Sequence, residues 1–148
     1  MNFNWVNEFF SNKMLWIALL SWFLAQAIKI VLHLIANNEL KLKLIAESGG
    51  MPSSHSAIIC SACVAIGNTH GFDSSIFALA AVVAMIVMYD AVGVRRATGE
   101  QGKVLNKIIG MMNINDKLQT TLKEVMGHKP TEVFAGAMLG IFIGLILS

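Results

Sequence analysis

The sequence predicts an all-α integral membrane protein with about four transmembrane helices and two short amphipathic helices at the membrane interface. The 148 residues are 55% hydrophobic and 14% charged, with a mean hydropathy of +0.64, which is far too apolar for a water-soluble domain of this length. The apolar residues form long runs separated by polar segments. No cleavable signal peptide is evident at the start, so we expect the first run to remain and residues 1–148 to form one membrane domain.

The first predicted span covers residues 14–36. At ~1.5 Å per residue, this run is long enough to cross a ~30 Å hydrocarbon core. Residues 1–13, which mix aromatic and polar side chains, suit the headgroup region. Lys29 interrupts the span on the same helical face as Gln26 and His33. A lysine here either extends to the interface or faces the bundle interior, and the sequence leaves both open.

The second and third predicted spans cover residues 56–70 and 75–96, joined by a tight turn. The second is short for a full crossing, so we expect it to be tilted or to begin below the surface inside the protein. Asp90 lies in the third span, where an unpaired carboxylate would be costly, so we expect it to pair with a cation. The candidate partners are Lys29, Arg95 and Arg96.

The rest of the chain predicts two amphipathic helices, at 101–112 and 115–126, and a last span at 131–147. The amphipathic pair either lies on the membrane or closes over a site. Within the last span, glycine recurs every fourth residue, a spacing that lets another helix approach closely. These residues are Gly136, Gly140 and Gly144. We expect this face to pack against a helix, and it also predicts a homo-oligomer.

A polar loop, Gly49 to His55, interrupts the apolar sequence before the second span. Ser53 and Ser54 are good N-cap residues, and the first-turn amides with the positive end of the helix dipole form an anion site. A histidine beside a bound phosphate can donate a proton, accept one or attack phosphorus. The alternative is a capped helix start with a surface histidine.

A second histidine stands in a similar setting before the last span. Gly127 ends the preceding segment and Pro130 suits a first helical turn, so His128 lies near a helix N-terminus. Glu132 lies one turn further on, where its carboxylate would hold one imidazole nitrogen and leave the other to attack.

The distribution of basic residues predicts the orientation of the protein. With four spans, both histidine-bearing loops fall on one side, and that side holds nine of the eleven lysines and arginines. By the positive-inside rule it is the cytoplasmic face of the plasma membrane, with both termini outside. Arg95 and Arg96 serve either as such anchors or as bidentate ligands for phosphate.

Three blocks resemble a known family: GGMPSSHSA, YDAVGVRRATGEQ and GHKPTEVFAGAMLG. They are similar to the divergent, small bacterial and plant branch of the phosphatidic acid phosphatase type 2 superfamily, whose relatives include vanadium haloperoxidases. The resemblance runs from about residue 20 through nearly the whole chain, with all three blocks in order.

The resemblance implies roles for particular residues. Residues 52–55 resemble the superfamily's P-S-G-H motif, which makes His55 the proton donor to the leaving group. His128 and Glu132 resemble its H-x3-D, which makes them the nucleophile and the residue that orients it. The motif K-x6-R-P is absent as written. Lys43 lies near the expected lysine, and Arg95 and Arg96 are candidates to replace the arginines.

The leading functional prediction is a metal-independent, cofactor-free membrane phosphatase. It would hydrolyse a lipid phosphate monoester or diphosphate, such as phosphatidylglycerophosphate or phosphatidate, through a phosphohistidine. The alternative is a noncatalytic protein that binds lipid headgroups through the same pocket. A transporter or proton relay is less well supported, because its ionisable residues lie on only two spans. No basic aromatic-rich run indicates nucleic acid, and the Cys60/Cys63 pair lacks partners for zinc.

Overall fold

The computed structural model describes residues 4–41, 44, 49–111 and 128–148, and every regular element in these ranges is helical. In chain order the α-helices are α1 (Asn4–Phe10), α2 (Lys13–Asn37), α3 (Ser54–His70), α4 (Ser75–Val92), α5 (Val94–Met111) and α6 (Pro130–Leu147). Three described stretches are long and apolar enough to cross a membrane: α2, the run formed by α4 and α5, and α6. The predicted all-helical class is confirmed.

Most predicted boundaries agree closely with the helices. α2 and α6 reproduce the first and last predicted spans, and α3 begins slightly earlier, at Ser54. Two boundaries were wrong: α4 ends at Val92 rather than at residue 96, and α5 begins at Val94 rather than at residue 101. The second amphipathic helix, predicted at 115–126, lies outside the described residues.

Gly93 accounts for the early end of α4. Its backbone angles, φ −90° and ψ −81°, depart from those of an α-helix, although its N–H still donates to the Tyr89 carbonyl at 2.8 Å. A Cβ at this position would lie 3.1 Å from the same carbonyl oxygen, so glycine suits the break. Apolar residues flank Gly93 on both sides, and hydrophobicity alone therefore extended the predicted span through it.

Helix α3 lies at the centre of the bundle and packs against α2, α4 and α6. Its buried side chains are small, and hydroxyl groups at its centre donate to backbone carbonyls. Ser61 Oγ donates to the Ile58 carbonyl at 3.0 Å, and Ser21 of α2 donates to the Ala57 carbonyl at 3.0 Å. Small, internally hydrogen-bonded residues let three helices approach α3 without leaving polar groups in an apolar medium.

The glycines of α6 form the tightest helix contact. A Cβ at Gly136 would overlap the Ser53 carbonyl oxygen, and one at Gly140 would overlap the Ala57 carbonyl oxygen. A Cβ at Gly144 would lie 2.8 Å from Val64 Cβ. The residue numbers of the contacting positions increase in the same direction along α3 and α6, so the two helices run parallel. The expected close packing is confirmed, and it joins two helices of the same chain. A homo-oligomer would therefore need a different surface.

The interior of the bundle contains mostly small side chains, many of them polar, and its outer surface is apolar. The largest fully buried side chains are His128, Ser21, Ser53, Ser56 and Ser61. Large apolar side chains on α2, α4 and α6 point outward, among them Phe23, Leu79, Phe134, Ile141 and Phe142. Exposed apolar surface on this scale suits contact with lipid rather than water.

Candidate active site

The loop before α3 is built around two glycines and a lysine. Gly49 and Gly50 have φ of 103° and 89°, in the left-handed region that glycine adopts without strain. A Cβ at Gly50 would lie 3.2 Å from Lys29 Cδ and 3.5 Å from its Cε. The loop backbone therefore lies along the lysine stem. Lys29 is only 4% exposed, so its side chain is enclosed beside this loop rather than extended into the membrane surface.

Ser53 fixes the end of this loop to both neighbouring helices. Its side chain caps α3, accepting hydrogen bonds from the Ser56 N–H at 3.4 Å and the Ser56 hydroxyl at 3.1 Å. Its own N–H donates to the Glu132 carbonyl at 2.9 Å. The predicted N-cap is confirmed, and the hydrogen bond to Glu132 ties the first loop to the start of α6. Ser54, also buried, follows in the first turn.

The start of α6 is held by a reciprocal pair of hydrogen bonds. The Lys129 N–H donates to Glu132 Oε2 at 3.1 Å, and the Glu132 N–H donates to the Lys129 carbonyl at 2.9 Å. Pro130 occupies the first helical position, where its missing N–H costs nothing. This arrangement fixes His128 just before the helix and leaves it 1% exposed.

The imidazoles of His55 and His128 lie together. Their ring centroids are 5.8 Å apart and the ring planes meet at 83°, an edge-to-face arrangement. The sequence predicted that both histidines lie at the same end of the bundle, and the structure brings their rings into contact there. It arises because α3 and α6 are parallel and Ser53 is bonded to Glu132. His55, in the first turn of α3, and His128, just before α6, therefore meet at the same end of the bundle.

The surroundings favour an anion. The N-termini of two parallel helices, α3 and α6, lie side by side, so the positive ends of their dipoles add. The Lys29 side chain is enclosed on the α2 side, beside the loop that leads to Ser53. Because burial reduces the local dielectric constant, the partial charges at the two helix ends act more strongly here than they would in water.

The other predicted site residues are placed less fully. Asp90 is partly buried near the end of α4. Glu132 supplies one carboxylate oxygen to the Lys129 N–H, and its role in orienting His128 stays a prediction. Lys43 lies outside the described residues, as do the side chains of Arg95 and Arg96. Within the described ranges, no group of three or more His, Cys, Asp or Glu residues is placed to hold a metal ion.

Sequence reasoning left the role of Lys29 open. The signal was the helical face that it shares with Gln26 and His33, and the side chains of Lys29 and Gln26 prove to be buried. No pattern in the sequence predicted that Lys29 lies against Gly50, because this contact depends on how the loop before α3 packs against α2.

Comparison with known proteins identifies the family of the chain. Residues 10–143 match the family described as the Divergent PAP2 family. The chain belongs to the Divergent PAP2 family. It is 39% identical over 153 residues to the uncharacterized membrane protein YuiD of Bacillus subtilis (strain 168), an alignment that covers 95% of this chain and 97% of YuiD. No solved structure matches the chain.

Membership of the Divergent PAP2 family confirms the resemblance drawn from the three sequence blocks. The matched region includes α2, α3 and α4 and most of α6, and therefore both histidines. Together with the apolar helices, the similarity to a membrane protein supports a membrane location for this member of the family.

Proposed function

We propose that this protein is an integral-membrane phosphatase that hydrolyses a phosphate monoester or diphosphate of a membrane lipid through a phosphohistidine. The observation that carries the proposal is the edge-to-face pair of His55 and His128, 5.8 Å apart at two adjoining helix N-termini. Family membership supports phosphatase-related chemistry in general. The geometry adds two imidazoles that can divide nucleophilic attack and proton transfer between them.

The proposed reaction has two steps. A nitrogen of His128 attacks phosphorus, the bond from phosphorus to the leaving oxygen breaks, and His55 donates a proton to that oxygen. In the second step His55 accepts a proton from water, the resulting hydroxide attacks the phosphohistidine, and the nitrogen–phosphorus bond breaks to release phosphate. Glu132 is proposed to orient His128, as the acid of the family motif does.

The charge on the transferring phosphoryl group needs compensation. Lys29 is the cation best placed for this among the described residues, because its stem lies against Gly50 in the loop that leads to Ser53. First-turn amides after Ser53 and Ser54 would contribute further donors. Arg95, Arg96 and Lys43 stay candidate phosphate ligands, as the sequence predicted.

We infer four membrane crossings, by α2, α3, α4 and α6. α3 has 17 residues, which at ~1.5 Å each is about 26 Å, and it is enclosed by the other three helices. An even number of crossings puts both termini on the same side and the histidines at the opposite face. By the positive-inside rule, the nine basic residues on the histidine side favour the cytoplasmic face of the plasma membrane for the histidines, with both termini outside. That side points to a lipid phosphate of the inner leaflet, such as phosphatidylglycerophosphate or phosphatidate.

Thiol labelling in intact cells tests this orientation. With Cys60 and Cys63 replaced, Thr98→Cys should be protected from an impermeant thiol reagent and Asn68→Cys should be labelled. The reverse pattern would invert the topology and favour an externally recycled polyprenyl diphosphate as the substrate.

Phosphate release from purified protein in lipid nanodiscs tests the activity. Phosphatidylglycerophosphate and phosphatidate should be hydrolysed faster than soluble phosphate esters, and His128→Ala should abolish release. Binding of these lipids without turnover would instead support the noncatalytic headgroup-binding function.

A further inference from the structure

Helix α5 carries an exposed apolar stripe. Five of its large apolar side chains are between 46% and 76% exposed: Val94, Val104, Leu105, Ile108 and Met111. At 3.6 residues per turn these positions share one side of the helix, within an arc of about 120°.

The other sides of α5 carry small, polar and charged residues. Gly99 is buried and Asn106 is partly buried, so this part of the helix faces the rest of the chain. Lys103 and Lys107 are exposed and lie on the flank between this buried side and the apolar stripe, Lys103 further from the stripe than Lys107. A helix at a protein–water boundary normally turns its apolar side inward, and α5 does the reverse.

The position of α5 in the chain indicates what surrounds the stripe. α4 has 18 residues, about 27 Å of helix, which nearly crosses a ~30 Å hydrocarbon core. α5 begins immediately after Gly93, at the edge of that core. Glu100, Lys103 and Lys107 make the hydrocarbon interior costly for α5, whereas the apolar stripe makes bulk water unfavourable. The membrane interface satisfies both requirements.

We propose that α5 lies on the bilayer surface as an interfacial helix. α5 directly follows α4, whose apolar side chains face lipid. The apolar stripe of α5 contacts the acyl chains near the headgroups. Lys103 and Lys107 face the aqueous side and attract anionic lipid headgroups. This contact goes beyond the proposed catalysis, because it requires no turnover at the histidines.

Spin-label depth measurements on the full chain test this contact. Single cysteines are introduced at Ile108, Leu105 and Lys103, with Cys60 and Cys63 replaced, and the labelled proteins are placed in nanodiscs containing phosphatidylglycerol. Labels at 108 and 105 should collide mainly with oxygen, which concentrates in lipid. The label at 103 should collide mainly with a water-soluble nickel complex. The contrast between positions 108 and 103 should shrink in discs of neutral lipid alone.

Two results would overturn the proposal. A nickel-accessible label at both 108 and 105 would place the stripe in water. Labels shielded from both oxygen and nickel would show that residues 112–127 or a second copy of the chain cover it. Position 105 keeps the test decisive if Ile108→Cys fails to fold. An inactive protein with lipid-buried labels would contradict only the proposed phosphatase activity.

Discussion

The two ends of α3 each carry a histidine, and they differ in enclosure. At the first end His55 contacts His128, which is 1% exposed. Lys29 lies buried there, beside the loop that precedes α3. At the other end His70 is exposed. Near that end, Glu8, Lys13 and Thr69 help to line an open cavity of about 350 Å³. A histidine and a lysine near a helix end therefore form a candidate site only where packed helices exclude water around them.

Hydrogen bonding explains the difference between the ends. At the first end the Ser53 N–H to Glu132 carbonyl bond holds two helix starts together. At the far end the corresponding link is a side-chain bond between Asn68 and Ser148 at 2.7 Å, and both residues are exposed. Water competes for the exposed hydrogen bond and screens nearby charges. The bond between Asn68 and Ser148 therefore holds the surrounding residues less firmly.

Substitution of the histidine at each end of α3, His55 or His70, should give the largest difference in turnover between the two ends. His55→Ala should lower turnover by on the order of 10²–10⁴-fold, because leaving-group protonation is lost. The loss should be greatest for alkyl leaving groups and smaller for a nitrophenolate, which leaves without a proton. The matched control, His70→Ala, should retain wild-type rates. Equal losses for both leaving groups would remove His55 from the role of proton donor.

Removal of the buried lysine should have the next largest effect. Lys29→Met should lower kcat/KM by about 10²–10³-fold, because one charge opposite the transferring oxygens is lost. Vanadate, which mimics the transition state, should bind correspondingly more weakly. Lys13→Met, at the far end of α2, is the matched control and should bind vanadate as the wild type does.

Rescue distinguishes a phosphate-binding role for Lys29 from a structural one. Lys29→Arg should recover part of the vanadate affinity lost in Lys29→Met. If Lys29→Met lowers the thermal midpoint while its folded fraction binds vanadate normally, the lysine supports only the fold.

Substitution of the α6 glycines should have the smallest effect on turnover, and the effect should depend on how close the glycine lies to the histidines. Gly144→Ala, at the far end, should destabilise the protein by about 1–3 kcal/mol through overpacking, without changing the turnover of folded protein. Gly136→Ala should also lower turnover, because its methyl group would displace the Ser53 carbonyl at the active end. Gly110→Ala has open space around it and is the neutral control. Equal turnover in the Gly136 and Gly144 variants would contradict this gradient.

Much of the fold could be predicted because apolar runs of membrane length leave few alternatives. The ends of α2 and α6 follow from hydrophobicity, and the Ser53 cap follows from the chemistry of helix N-termini. Hydrophobicity could not locate the break at Gly93, because valines flank that glycine closely on both sides. The start of α5 was missed for a different reason, because its first turns are polar and resemble a loop.

The candidate site could be predicted in part. Two histidines at helix starts were enough to predict that His55 and His128 lie on the same side of the membrane, whereas their contact follows from the packing of α3 against α6. The spacing of Gly136, Gly140 and Gly144 predicted a close helix contact, yet it named no partner, and the partner is α3. Lys29 illustrates the remaining limit. Helical periodicity gives the face on which a residue lies, whereas the neighbour on that face is set by tertiary packing.

Isolation of the covalent intermediate tests the central claim most directly. Wild-type protein would be mixed with phosphatidate labelled at phosphorus and quenched within a turnover in alkaline detergent, because the nitrogen–phosphorus bond is labile in acid. We expect label on the peptide that contains residue 128 in the wild type, and none in His128→Ala. Lipid hydrolysis that continues in His128→Ala at the wild-type rate, with no labelled peptide from either protein, would contradict it.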